Sequence, residues 1–374
     1  MKHITDVVIV GGGAIGTAIA YYLRKLQVDT TLLEREEIGS QASSAAAGLL
    51  APLGPLSGPG PFADLLLSSF ALFPSLVPEL EEASNLVLEY EHVGALRTVS
   101  NLKRIANLKK RMLSWEPLGL QMYWLTGEEA RQREPHLGPE VCAAIYVPQE
   151  SQIQASQIPK AFAKAASYLG ANILTYAEVV DLRKDGNKIT GVHLAPGETI
   201  SCNHLVLAPG AWAALYGKWL NLHLPVSPLR GQMLLLQGTT SPLKHIIFGN
   251  AAYMAPKGDK VLVGATKEDV GFDAQVTEEG ISWLYETATK IVPSLGKSQR
   301  RSAWAGLRPS TPDKWPILGP APHWENVTLA TGHNSVGIML SAITGKTIAE
   351  LVATGHTPEI IRPFSLERFK TSER

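Results

Sequence analysis

DVVIVGGGAIGTAIAYYLRKLQVDTTLLE, residues 6–34, decides the architecture. Val7-Val8-Ile9-Val10 is a β-branched run of strand type. Gly11-Gly12-Gly13 breaks it, Ala14 to Leu26 reads as a helix, and Val28 to Leu33 reads as a second strand ending at Glu34. Gly11, Gly13 and Gly16 therefore form G-x-G-x-x-G inside a strand–turn–helix–strand unit, with an acid about twenty residues on. Each part has a physical task. Gly11 permits the tight turn, Gly13 lets a pyrophosphate approach the backbone, and Gly16 lets helix and strand pack closely. The helix N-terminus offers N–H groups and partial positive charge to phosphates. Glu34 can accept from the ribose hydroxyls of an adenosine. The unit is read as dinucleotide-binding.

The same run imitates a leader, because VVIVGGGAIGTAIAYYL is uncharged and Ala18-Ile19-Ala20 resembles a cleavage site. Asp6 and the central glycines argue against a signal peptide or membrane anchor, and no other run approaches spanning length.

The chain has 374 residues, enough for two domains. Hydrophobic residues make up 45% and charged residues 18%, a globular composition, and the formal net charge is zero. Without a long charged run, neither nucleic acid nor membrane insertion is expected. Cys142 and Cys202 stand far apart, which suits a reducing cytoplasm and offers no metal spacing. No metal site is expected.

The glycine fingerprint does not separate FAD from NAD. The next stretch, GSQASSAAAGLLAP (residues 39–52), stays small and polar where an NAD domain would continue into a helix and strand. That pattern suits a large flat ligand. Ser43 and Ser44 can offer hydroxyls to phosphate or ribitol, and Ala45 to Gly48 let backbone come close. LGPLSGPGPF (residues 53–62) reads as a mobile or irregular connector.

Five motifs carry a resemblance: the fingerprint, SSAAAG, LAPGAW (207–212), AGLRPSTPD (305–313) and GHNSVGIML (332–340). Their order resembles FAD-dependent amine and amino-acid oxidases of the D-amino-acid oxidase superfamily, and within it the glycine oxidases of bacterial thiamine biosynthesis. It runs essentially from end to end. The resemblance implies an α/β (α+β two-domain) fold, a Rossmann-like FAD-binding domain interleaved with a mostly antiparallel-sheet substrate domain. The FAD domain is expected over 1–85, 145–220 and 300–374, and the substrate domain over 86–144 and 221–299. Ile173 to Asp181 and the strand before LAPG would return to the FAD domain. LPVSPLRGQMLLLQG and AYMAPKGDKVLVGAT alternate as substrate-domain strands.

The resemblance also implies site residues. Non-covalent FAD would contact Gly11, Gly13, Ala14, Ile15, Gly16, Glu34 and Arg35. The small-residue segment adds Ala42, Ser43, Ser44, Ala47, Gly48 and Leu49, and Val179 would meet the adenine through its backbone. At the flavin end come His333, Asn334, Val336, Gly337, Ile338 and Met339, with the helix from Gly337 pointing its positive end at the flavin. His333 is given a cofactor-lining role, not proton transfer. Arg308 falls where glycine oxidases grip the substrate carboxylate with a guanidinium fork, Tyr253 assists, and Ser335 stands where the family often has a second arginine. Ala251, Phe248 and Lys267 replace a histidine, a tyrosine and a methionine of the family pocket, which puts glycine itself in doubt as substrate. Neither cysteine lies where sarcosine oxidases attach flavin, and Leu262 stands where they place an oxygen-activating lysine.

The implied reaction is oxidative deamination of a small amino acid by dioxygen, in a cytoplasmic homo-oligomer, with no side chain assigned as acid or base. An FAD dehydrogenase serving a quinone or carrier, an NAD-dependent dehydrogenase and a non-catalytic flavin-binding module remain open at this point.

Overall fold

The β-branched and alternating runs condense into two eight-stranded sheets and a two-stranded ribbon, in a computed structural model that describes residues 4–238 and 243–372. In the first sheet the strand Ile4–Val10 runs parallel to Thr199–Leu207 on one side and to Thr30–Leu33 on the other. Asn172–Leu174 extends the sheet beyond Thr30–Leu33, and Val327–Thr331 extends it beyond Thr199–Leu207, both in parallel. Ile317–Pro320 closes one edge antiparallel, and Val179–Asp185 with Lys188–Leu194 forms an antiparallel arm on Thr199–Leu207. Val8 and Ile9 are fully buried on opposite faces, so both faces of this strand are covered and its sequence is continuously apolar.

The helix Ala14–Lys25 packs between Ile158–Tyr168 and the C-terminal helix Gly337–Thr354. Gly345 makes the second contact possible: a Cβ there would press on Ala18 and the Tyr22 ring. Phe162 and Tyr21 meet at 5.6 Å in the same apolar layer.

The second sheet runs Gln299–Ser310, Ser227–Gln237, Lys260–Gly264, Ala252–Lys257, Ile246–Gly249, Ala95–Val99, Ala143–Val147, Tyr123–Thr126. Its pairs are antiparallel except Ile246–Gly249 with Ala95–Val99. The helix Glu278–Ile291 covers one face through Ile281, Leu284, Ala288 and Ile291. The two sheets meet where Ala45 sits on Gly306 and Trp304 Nε1 donates to the Ala45 carbonyl at 3.2 Å.

Three sequence expectations change in detail. The second strand starts at Thr30, not Val28, because Gln27 turns the chain with φ 62° after the helix. The return from Ile173 to Asp181 is two strands, split near Tyr176, whose φ is 54°. The Pro/Gly-rich connector, expected to be mobile or irregular, is irregular and also pinned by distant residues. Leu53 and Leu56 are buried, the Leu53 N–H donates to Glu150 Oε1 at 3.1 Å, and Trp115 Nε1 donates to the Leu56 carbonyl at 2.8 Å.

Candidate active site

A cavity of about 920 Å³ is lined by the carboxyl end of the strand Ile4–Val10 and by the face of the second sheet. It lies at the upper end of the range of roughly 300–1,000 Å³ usual for ligand pockets. Its far end is the glycine turn. Gly11 has φ 109°, and a Cβ there would strike the Ala208 carbonyl, so only glycine fits. Gly13 is the N-cap of the helix Ala14–Lys25, with no side chain capping it, and Ala14 N–H donates to Ser43 Oγ at 3.0 Å. The Glu34 carboxylate accepts from the Gly12 N–H at 2.6 Å and the Glu36 N–H at 3.0 Å, which holds it at the strand end. A helix N-terminus whose N-cap has no side chain and whose first N–H meets the Ser43 hydroxyl, beside a fixed carboxylate, fits a pyrophosphate joined to a ribose diol.

Gly11, Gly13, Ala14, Ile15, Glu34 and Arg35 all line this part of the cavity. Gly16 does not. A Cβ on it would enter the Gly11 carbonyl, so it serves the close packing of turn and helix. Arg35 lies over the Trp212 ring at 4.1 Å, which adds an aromatic wall.

The small-residue segment forms the short helix Ala42–Ala45 and the strand Leu49–Leu50. Ala42, Ser43, Ala47, Gly48 and Leu49 face the cavity; Ser44 turns away, its Oγ donating to the Ser40 and Gln41 carbonyls at 3.0 and 3.1 Å. Gly48 has φ 76°, and a Cβ would meet the Ile153 carbonyl. Val179 lines the same wall.

The loop 332–336 and the start of the helix Gly337–Thr354 close the cavity opposite the second sheet, and His333, Asn334, Ser335, Val336, Gly337, Ile338 and Met339 all line it. The Asn334 N–H donates to the Pro309 carbonyl at 2.9 Å, fixing this loop to the strand that carries Arg308. His333 is buried, its Nε2 is 3.2 Å from Thr344 Oγ1, and burial pulls its pKa down to about 3. It is a neutral wall residue at physiological pH.

On the second sheet Arg308 stands opposite Leu229, with its Nη1 donating to the carbonyls of Thr266 at 3.0 Å and Arg230 at 3.3 Å. Those bonds leave Nη2 and Nε for a ligand, and among the described residues the guanidinium has no carboxylate partner. Gly231 gives it room, because a Cβ there would fall on the guanidinium. Tyr253 is placed the same way. It lies opposite Gly264 in the register, a Cβ on Gly264 would strike its hydroxyl, and that hydroxyl is 3.3 Å from Met233 Sδ. Desolvation pushes the phenol above its usual range, so it stays a donor. Phe248 packs on Tyr253 at 6.1 Å between ring centres.

Sequence reasoning missed part of the wall. Arg97 is buried, makes a two-point pair with Glu150, and stacks on Phe248 at 4.7 Å, so it positions the aromatic side of the cavity. Its signal, an arginine inside the apolar strand Ala95–Val99, was present. Gly231, a glycine inside a long strand, was a second readable signal. Lys314 also faces the cavity, from the turn after Ser310. Among the described residues no group of three or more His, Cys, Asp and Glu side chains could hold a metal ion.

A family model described as FAD dependent oxidoreductase matches residues 6–351. The chain is 36% identical to the glycine oxidase of Geobacillus kaustophilus (strain HTA426) over 98% of both proteins. It is 30% identical to hydrogen cyanide synthase subunit HcnC of Pseudomonas aeruginosa, over 99% of this chain and 97% of that one. The crystal structure of glycine oxidase from Geobacillus kaustophilus superimposes with a TM-score of 0.93, at 34% identity, over 98% of this chain and 99% of that one.

Proposed function

The chain belongs to the DAO family of FAD-dependent oxidoreductases, and from that premise we propose that it oxidatively deaminates glycine or a related small amino acid or N-alkyl glycine. The products are an oxo acid, ammonia or an amine, and hydrogen peroxide. The cofactor is FAD, which removes the NAD-dependent alternative. The observation that carries the reading is Arg308: a half-buried guanidinium that forms no ion pair among the described residues and lines a cavity walled by the loop 332–336.

Arg308 and Tyr253 hold the substrate carboxylate through charged and neutral donors. With that end fixed, the Cα–H bond is the part free to be aimed across the cavity. Bound FAD supplies the hydride acceptor. The N-terminus of the helix Gly337–Thr354 presents its positive end to that side, which favours negative charge there. Neutral His333 closes the wall without offering a titrating proton near pH 7. Ser335 leaves space and a hydroxyl where a second cation would otherwise stand. No side-chain acid or base is assigned.

We assign the cofactor domain to 1–85, 145–220 and the chain after Ser310 and the substrate domain to the remainder, moving the expected boundary at 300 because the strand Gln299–Ser310, which carries Arg308, pairs along its length with Ser227–Gln237 in the second sheet. The role in thiamine biosynthesis, the cytoplasmic location and the homo-oligomeric state belong to the same proposal and rest on the sequence resemblance and the cysteine content.

The test is anaerobic reduction of the bound flavin by a panel of glycine, sarcosine, N-ethylglycine and D-amino acids, followed by admission of air. Bleaching by at least one of them with stoichiometric peroxide on reoxidation is expected. Bleaching that only a quinone or dye reverses would make the protein a dehydrogenase. Absence of bleaching by every amine would leave a flavin-binding module.

A further inference from the structure

Arg308 has two cationic neighbours. Lys267 follows the strand Lys260–Gly264, next to Thr266, whose carbonyl anchors Arg308. Lys314 enters from the turn after Gln299–Ser310, and both lysines line the cavity. The charges that act on Lys267 are those of Arg308 and Lys314, both repulsive. Desolvation first, then this repulsion, holds its ammonium below the usual lysine range.

The acids beside these residues in the chain are engaged elsewhere. Glu268 accepts from Arg230 Nε at 2.6 Å and Gln232 Nε2 at 2.9 Å; Asp313 accepts from Arg368 Nε at 2.7 Å. The other side of the pocket is aromatic, Phe248 and Tyr253, and Ala251 leaves it short of bulk. Arg308, Lys267 and Lys314 all line the cavity, the two lysines exposed to solvent; Asp313 lines it too but is held by Arg368, and Glu268, whose charge reaches Arg308, is held by Arg230. One carboxylate on Arg308 leaves the two lysines unanswered.

We propose that Lys267 and Lys314 form a second anion subsite beside Arg308, so that the preferred substrate carries a second acidic group, as an aminodicarboxylate or an N-carboxymethyl amino acid does. This rests on the carboxylate-clamp reading of Arg308. The α-carboxylate goes to the guanidinium fork, and the second acid spans to the ammonium groups, which as flexible point charges tolerate several geometries. A neutral side chain of the same length would leave the lysines paired with water only.

Ligand binding to the oxidised holoenzyme, read as perturbation of the flavin absorption band, separates the possibilities. Glycolate is the one-carboxylate probe; tartronate and malate add a second carboxylate at increasing reach. At least one dicarboxylate is expected to bind about tenfold more tightly than glycolate, the usual scale for one added charged hydrogen bond. Lys267→Gln should abolish that excess while leaving glycolate affinity within roughly twofold, and Lys267→Arg should keep most of it. The flavin spectrum and content of each variant report that it is folded. Equal affinity for glycolate and both dicarboxylates overturns the proposal. So does an equal loss of glycolate and dicarboxylate affinity in Lys267→Gln, which would place the lysine on the α-carboxylate. If instead Arg308→Ala leaves glycolate binding intact, the clamp itself is wrong, a failure separate from that of the second subsite.

Discussion

The Arg308 guanidinium rests against the bare Cα of Gly231, where a Cβ would collide with Cζ and both terminal nitrogens. The two residues sit on paired antiparallel strands, two positions out of register, because Gly231 faces Gly306. Diagonal neighbours of this kind share a face of the sheet. A glycine inside a long strand is thereby explained as the seat of the clamp.

Gly231→Ala should displace the guanidinium without touching the cofactor. We expect kcat/KM to fall by about 1–3 kcal/mol, the usual cost of one methyl too many in a filled site. Glycolate affinity should fall with it, and flavin content should stay. Unchanged kinetics would mean that the arginine has room to move.

Glu34→Ala should weaken FAD binding by roughly 1.5–3 kcal/mol, the scale of hydrogen bonds to a charged acceptor. The carboxylate also holds the N–H groups of Gly12 and Glu36, so the glycine turn should loosen as well. Titration of the apoprotein with FAD checks the affinity. Equal affinity in variant and wild type would remove Glu34 from the ribose.

The flavin should be released entirely by acid precipitation. Cys142 and Cys202 do not line the cavity, and His333 Nε2 is engaged with Thr344. Yellow colour retained by the denatured chain would contradict this.

One buried and one half-buried histidine, His333 and His204, set an acid limit to stability. Burial pulls His333 down to about 3 and His204 down to about 4. Both ordinary values lie near 6.5 in the unfolded chain. Between the folded and unfolded values the unfolded state binds the extra protons, so stability falls as pH drops below about 6.5 and is unaffected by these groups above it. Each contributes a slope of about 1.4 kcal/mol per pH unit in that window. Urea unfolding between pH 5 and 7.5 should show this slope, and His204→Gln should remove about half of it. A flat profile would mean that the rings are protonated when folded.

The fingerprint was legible because its glycines are demanded locally, by a positive φ at Gly11 and a near-contact at Gly16. Arg308 stands out locally as an arginine between Leu307 and Pro309 in a small-residue stretch, but its assignment to a substrate carboxylate, and that of Tyr253, came only from family resemblance. The glycines that seat them, Gly231 and Gly264, lie on neighbouring strands, so only the register brings them together. The connector 53–62 was read as mobile or irregular; its anchors, Glu150 and Trp115, come from distant chain and so could not be read locally. Ser44 was misread because one turn of helix points adjacent hydroxyls in different directions: Ser43 into the cavity, Ser44 onto its own backbone.

The central claim is that Arg308 grips the substrate carboxylate, and Arg308→Ala tests it most directly. The measurement is kcat/KM for a carboxylate-bearing amine and for an amine without a carboxylate, at equal flavin content. A loss on the order of 2–5 kcal/mol for the first and much less for the second is predicted, with Arg308→Lys recovering only part because an ammonium lacks the two-donor fork. Loss of FAD, or an equal slowing of both amines, would contradict the account and make Arg308 a structural residue.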